Sequence, residues 1–382
     1  MTWPTVTINQ LNQRQGRIDE IERTVLFIGY GNENNLIALN SQSNMAVELA
    51  EASKTLRDHV TAAQLNAGQN WQAYVITTPE PEFPSFDAWV QAIIEAQELI
   101  SVEGCVVLTE FEQTADAHDA ITQFAALRET LISHFGRWVW FMLTISDPTS
   151  PKRGQDWKAY LTDLAVISSG IAAPCVMLVP SLWGNDAGVL AGRLCRRDIT
   201  IADSPARVKT GALLGLGADN ANLPCDKLGI EITLAQLQTL HDLRYSVPMW
   251  YPDYEGFYWS DGNTLEVKGG DYPVIEYLRI VDKAARQIRL RAIAKIGDRS
   301  MNSTPASMAA HQLYFSAPLR EMSKSTQIQG ITFPGEIEPP EDDAIAIQWT
   351  DKETVSVYMV IKPYASPKKI TVGIILDATL EG

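Results

Sequence analysis

The segment WVWFMLTISDPTSPKRGQDWKAYLTDLAVISSGIAAPCVMLVP, residues 138–180, decides the fold. Residues 138–145 are a continuous apolar run of strand length, and CVMLVP at 175–180 is another. Gln155 to Ser169 between them reads as a helix. A strand, a helix and a strand in this order imply a crossover and a parallel pair covered on both faces. The pattern repeats toward the N-terminus. TVLFIG (24–29), WQAYVIT (71–77) and CVVLTE (105–110) read as strands. Met45 to Leu65, Ser85 to Ile100 (with Ser85 placed as its cap) and Ala115 to Phe135 read as helices. The expectation is an α/β domain with a mostly parallel sheet over about 23–200.

Toward the C-terminus the pattern changes to α+β. A helix from Leu234, an aromatic strand, a long helix from Tyr272 to about Ile296 and a helix from Ser307 to Lys324 follow one another. FPGEIEPPEDD (333–343) reads as a loop. AIAIQW (344–349) and TVSVYMVI (354–361) then predict a hairpin. It carries Ile345, Ile347, Trp349, Val355, Val357 and Met359 on one face. Gly215-Leu216-Gly217 reads as a helix C-cap.

Two short strands stand apart at the ends. TWPTVTI (2–8), with Trp3, Val6 and Ile8, is followed by the polar stretch 9–22. ITVGIILDA (370–378), with Ile370, Val372, Ile374 and Leu376 on one face, follows the proline-containing linker 362–369. Both are candidate arms that add a strand to a neighbour's hairpin. Ordering about ten residues costs ~10–20 kcal/mol. Burying about five apolar side chains returns roughly 7–15 kcal/mol, and each ladder hydrogen bond about 0.5–1.5 kcal/mol. One arm alone sits near balance, and several closing together become favourable. The expected organisation is an arm and linker at 1–22, an α/β domain at 23–229, an α+β domain at 230–361, and a linker and arm at 362–382. The terminal strands would complete the α+β domain.

The 382 residues carry a net charge of −15, which argues against a general nucleic-acid binder. Residues 1–150 hold 7 Lys and Arg against 19 Asp and Glu, so −12 of the −15 lies there. Residues 273–299 run the other way, with 7 basic against 3 acidic residues, or +4. That helix offers Arg279, Lys283, Arg286, Arg289, Arg291 and Lys295 as a basic face. No apolar run approaches the roughly 18 residues of a membrane span, and no secretory leader is expected from the first residues. The four cysteines form no C-x-x-C, so neither a zinc site nor a disulfide framework is expected.

Catalytic motifs are equally scarce. FIGYGN (27–32) has Asn34 where a dinucleotide fingerprint needs a third glycine, and it reads as a glycine turn. The five histidines are dispersed, and no Walker loop or nucleophile elbow occurs. No catalytic, metal or cofactor residues are nominated.

One longer stretch adds a family signal. From Asn185 to Leu265 the chain carries Ala191-Gly192 in a small-residue helix, Ser204-Pro205-Ala206 in a turn, a Leu-rich helix from Leu234 to Leu243, and Gly256 to Leu265 around Trp259, Gly262, Thr264 and Leu265. This order resembles the phage contractile tail-sheath family, in a small branch like that of Mu-like phages. Ser260-Asp261 and Arg197-Asp198 depart from the family pattern. The resemblance implies a structural subunit, not an enzyme, with no cofactor. It implies stacked rings, hexameric, held around a tail tube by exchanged strands that keep subunits tethered during contraction. The implied partners are further copies of the chain, the tube protein, the baseplate and the terminator, with no nucleic acid and no membrane. The implied location is the virion tail, and the host cytoplasm during assembly. The basic helix would face the tube. The alternative reading is an α/β enzyme binding a nucleotide or small acidic ligand, fused to an α+β dimerisation domain.

Overall fold

The computed structural model describes residues 21–80, 86–108, 111, 114–151, 153–217 and 222–372. It begins with β1 (Thr24–Tyr30), β2 (Asn35–Asn40), α1 (Met45–Glu48), α2 (Lys54–Ala67) and β3 (Gln72–Thr78). Next come α3 (Asp87–Leu99), β4 (Gly104–Val107), α4 (Thr114–Phe135), β5 (Trp140–Ile145), α5 (Trp157–Ser168), β6 (Val176–Pro180) and α6 (Asp186–Leu194). The strands form one six-stranded sheet in the order β2-β3-β1-β4-β5-β6. Five are parallel and the edge strand β2 is antiparallel to β3. Val25 to Ile28 of the central β1 are fully buried, as are all six residues of β5. Strands covered on both faces have no solvent side, so their sequences run apolar without alternation.

The helices fall into two groups: α3, α4 and α5 pack in a row, while α2 and α6 pack on each other. Every residue of α6, DAGVLAGRL, is buried. Gly188 and Gly192 bring its backbone against α2, where a Cβ on Gly188 would stand 2.0 Å from the His59 carbonyl oxygen. His59 is buried, and its Nδ1 accepts from the Gly188 N–H at 3.0 Å.

The remaining elements are α7 (Leu234–Asp242), β7 (Pro248–Tyr251), β8 (Tyr254–Trp259), α8 (Ile275–Ile293), α9 (Pro305–Met322), β9 (Thr326–Ile328), β10 (Ile331–Phe333), β11 (Ile345–Trp349) and β12 (Val355–Met359). The strands among them form three antiparallel hairpins. A Thr233–Gln236 capping box starts α7. Packing is continuous across residues 229 and 230. Leu237, Leu240, Val247, Trp259, Leu265, Ile275 and Leu278 belong to the same core as the sheet. A second core begins only at Ile280, and joins the rest of α8 to α9, Ile337 and Ile345.

Several local expectations need correction. The helix expected over Met45 to Leu65 breaks at Ala52, which bridges to Gly31, and gives α1 and α2. Gly29 lies inside β1, so FIGYGN is a strand end and not a free turn. The N-cap of α3 is Phe86 and makes no side-chain cap bond; Ser85 lies outside the described residues. No helix ends at Gly215 or Gly217, since a short 3-10 turn closes earlier, at Thr210, and the two glycines turn the chain with φ of 59° and 70°. Edge strand β2 and the β9–β10 hairpin were not foreseen.

Candidate assembly interface

The six hairpin residues expected on one face stand in register: Ile345 opposite Met359, Ile347 opposite Val357, and Trp349 opposite Val355. The intervening turn is closed by Asp351, whose Oδ1 accepts the Glu353 and Thr354 N–H groups at 2.7 Å each. This apolar face lies on α8 and α9, with Ile280, Ala284, Ile288, Phe315 and Leu319 beneath it. Gln312 Nε2 donates to the Ile345 carbonyl at 3.1 Å and ties the hairpin to α9. Among the described residues, β11 and β12 pair only with each other, so apart from the Ile345 carbonyl held by Gln312 both outer edges lack a strand partner. At the far end Trp349, Val355 and Val357 line an open cavity of about 580 Å³ with Ala292, Ile296 and Phe315.

Of the arm residues, Trp3, Val6, Ile8, Ile374 and Leu376 lie outside the described residues. Ile370 and Val372 are described; they are 77% and 75% exposed and belong to no strand. The root of each arm is nevertheless fixed. Glu22 is buried and receives Arg286 at 2.7 Å, and the Arg23 N–H donates to Glu103 at 2.7 Å. At the other end the Lys368 ammonium donates to Asp261 at 2.6 Å, to Glu276 at 2.9 Å and to the Ser204 hydroxyl. Burial disfavours its charge, yet Glu276 and Asp261 hold its pKa above the ordinary lysine value. Burial raises the Glu276 carboxyl, with Lys368 opposing. Upstream, Pro363 bridges to Ile337, and the Lys362 carbonyl accepts the Glu338 N–H at 2.7 Å. Residues 362–369 are thus tacked to the body at both ends and are not the free linker that two prolines suggest.

The basic helix also differs from expectation. Arg279 is 2% exposed and forms a two-bond pair with Glu103 at 2.7 and 2.8 Å, plus a bond to the Leu194 carbonyl. Burial alone would raise the Glu103 carboxyl, but the Arg279 guanidinium wins and holds it below the ordinary range. Arg286 is 9% exposed, against Glu22 and the Trp138 carbonyl. Lys283 pairs with Glu336 at 2.7 Å. Asp282, on the same helix, grips Arg128 of α4 through two bonds. Arg279, Asp282 and Arg286 join α8 to the α/β layer and to Glu22, while Lys283 is held by the loop after β10, so these groups present no basic surface. Arg289 remains exposed and lies over Gly136. Arg291 and Lys295 flank the Tyr314 ring at 5.0 and 5.3 Å.

Among the described residues, no group of three His, Cys, Asp or Glu could hold a metal, and no helix is long and apolar enough to cross a membrane. Sequence reasoning missed Glu22, Glu103, Asp261, Glu276 and Lys368. The one available signal was Asp261, which stands where the chain departs from the pattern it otherwise resembles.

Residues 3–263 match the family described as DUF2586, N-terminal domain, and residues 271–379 match DUF2586, C-terminal domain. A protein named as a tail sheath protein, from Haemophilus phage HP1 (strain HP1c1), is 47% identical over 378 residues, 98% of each chain. The fold also matches the sheath of an extracellular contractile injection system, the PVC sheath complex in its contracted state. That match has a TM-score of 0.62 at 16% identity, over 99% of this chain and 98% of that one.

Proposed function

We propose, from the premise that the chain belongs to the DUF2586 family and is kin to a phage tail sheath protein, a way for it to work as the subunit of a contractile tail sheath. It is a structural protein and not an enzyme, and it assembles with copies of itself. The observation that carries the reading is the identity along nearly the whole length, joined to a hairpin with two open edges on a rigid second core. In this proposal the segments holding Trp3, Val6, Ile8, Ile370, Val372, Ile374 and Leu376 add strands to β11 and β12 of neighbours, and so complete the α+β domain. Rings, hexameric and stacked, surround a tail tube and end at a baseplate and a terminator. Assembly takes place in the host cytoplasm. The four-part division 1–22, 23–229, 230–361 and 362–382 serves as inner and outer parts. Residues after 230 face the tube, and the acidic N-terminal half faces outward. Of the basic face, exposed Arg289 is offered to the tube, with Arg291, bonded to the Tyr314 carbonyl, and Lys295, paired with Asp298, beside it. Single exposed pairs of this kind contribute about 0–1 kcal/mol, which suits contacts that must release.

The test is electron microscopy of the purified chain at high concentration beside a version ending at Lys369. Ringed hollow cylinders from the first and none from the second are expected. Compact particles from the full chain would overturn the reading, and cylinders from both would remove the C-terminal strand from the assembly.

A further inference from the structure

Both arm roots end on the same helix. Glu276 lies in the first turn of α8 and Arg286 in its fourth, ten residues or about 15 Å apart along the axis. Glu276 holds Lys368 at the C-terminal root, and Arg286 holds Glu22 at the N-terminal root. Between them, Arg279 and Asp282 fasten the helix to Glu103 at β4 and Arg128 in α4. Glu103 in turn accepts the Arg23 N–H, one residue before β1.

We propose that α8 is a crossbeam to which both arms are bolted, Glu22 on Arg286 and Lys368 in the Asp261–Glu276 socket, so that a pull on either arm reaches the other through one rigid helix. The proposal rests on the sheath reading and says how tension crosses a subunit. Three observations support it. Charge and not packing seats the C-terminal strap: Tyr364, Pro367, Lys368 and Ile370 wall a cavity of about 910 Å³, shared with the 200–208 loop and α7. The socket favours a cation, because Asp261 and Glu276 are both buried side by side and the Lys368 ammonium reaches both carboxylates. Third, the six residues 364–369, beyond the Pro363 bridge, left free would span up to roughly 20–22 Å, and the seat removes that slack. The tether therefore begins near residue 370.

The test uses the full chain and Lys368→Met. Chymotrypsin cleavage after Tyr364, which needs a locally loosened strap, should run at least tenfold faster in the variant, with α8 and the sheet unchanged by circular dichroism. Equal cleavage rates would show that Lys368 seats nothing and would overturn the proposal. Cylinders of the parent, triggered to contract, should be either wholly extended or wholly contracted. Those containing Lys368→Met should show both states within one cylinder. If the variant does not assemble alone, one variant subunit doped per ten parent subunits gives the same reading. A released strap with contraction as uniform as the parent's would overturn the crossbeam. If the parent forms no cylinders, the sheath reading fails, while the cleavage comparison still decides whether Lys368 pins the strap.

Discussion

Replacing Arg279 by Met removes a guanidinium that is 2% exposed and leaves Glu103, 1% exposed, without its paired cation, with the Arg23 backbone N–H and the more distant Arg286 charge still acting on it. Met fills much of the same volume, so the change isolates the charge. Breaking a buried pair by removing one partner costs about 3–5 kcal/mol, because the other charge stays out of water. The Leu194 carbonyl loses its donor as well. Each kcal/mol shifts the melting point of a domain of 150–250 residues by roughly 2–4 °C, so a fall on the order of 10 °C is expected. The double change Arg279→Met with Glu103→Gln removes the stranded charge and should recover about 1–2 kcal/mol. The assay is thermal and urea unfolding of the unassembled parent, both single variants and the double. A single-variant loss below about 1 kcal/mol would be that of an exposed pair and would refute the claim that α8 is stitched to the sheet by desolvated charge. A double variant no better than Arg279→Met would refute the stranded-carboxylate argument.

Burial lowers the His59 pKa to about 4, with Asp58 opposing. The unfolded chain takes up its proton near pH 6.5 and the fold only near 4. Stability should therefore fall as pH drops through that window, by on the order of 3 kcal/mol. His59→Gln should flatten that part of the profile in urea unfolding at a series of pH values, and an unchanged slope would count against it. Gly188→Ala gains helix propensity but places a methyl 2.0 Å from the His59 carbonyl oxygen. It should destabilise the chain by about 1–3 kcal/mol, through separation of α2 from α6. A variant as stable as the parent would show that the two helices yield more easily than their backbone contact suggests.

The parallel sheet was legible because its strands are buried on both faces, and such strands declare themselves as apolar runs. The hairpin face was legible for the opposite reason: Ile345, Ile347 and Trp349 alternate with Ala346 and Gln348, one side packed and one side wet. Edge strand β2 escaped because NLIALN is largely exposed and carries no firm alternation. The basic helix misled because charge content along a sequence does not tell which charges are paired. Arg279 and Glu103 are 176 residues apart, and no periodicity links them. Lys368 looked like part of a flexible linker for the same reason: its partners, Asp261 and Glu276, come from a loop and a helix some 100 residues earlier.

If the arms add strands to β11 and β12 as proposed, those edges would also set the timing of assembly. In that assembly a free subunit would offer two strand acceptors, since β11 and β12 pair only with each other among the described residues, yet one arm filling one of them would barely repay the entropy of ordering itself. Pairs and short clusters should therefore fall apart faster than they grow, and the pool of subunits stays dormant until something already holds several of them side by side. Growth then shows a lag and a threshold concentration, and a preformed end that erases the lag decides where each cylinder starts and how many are built.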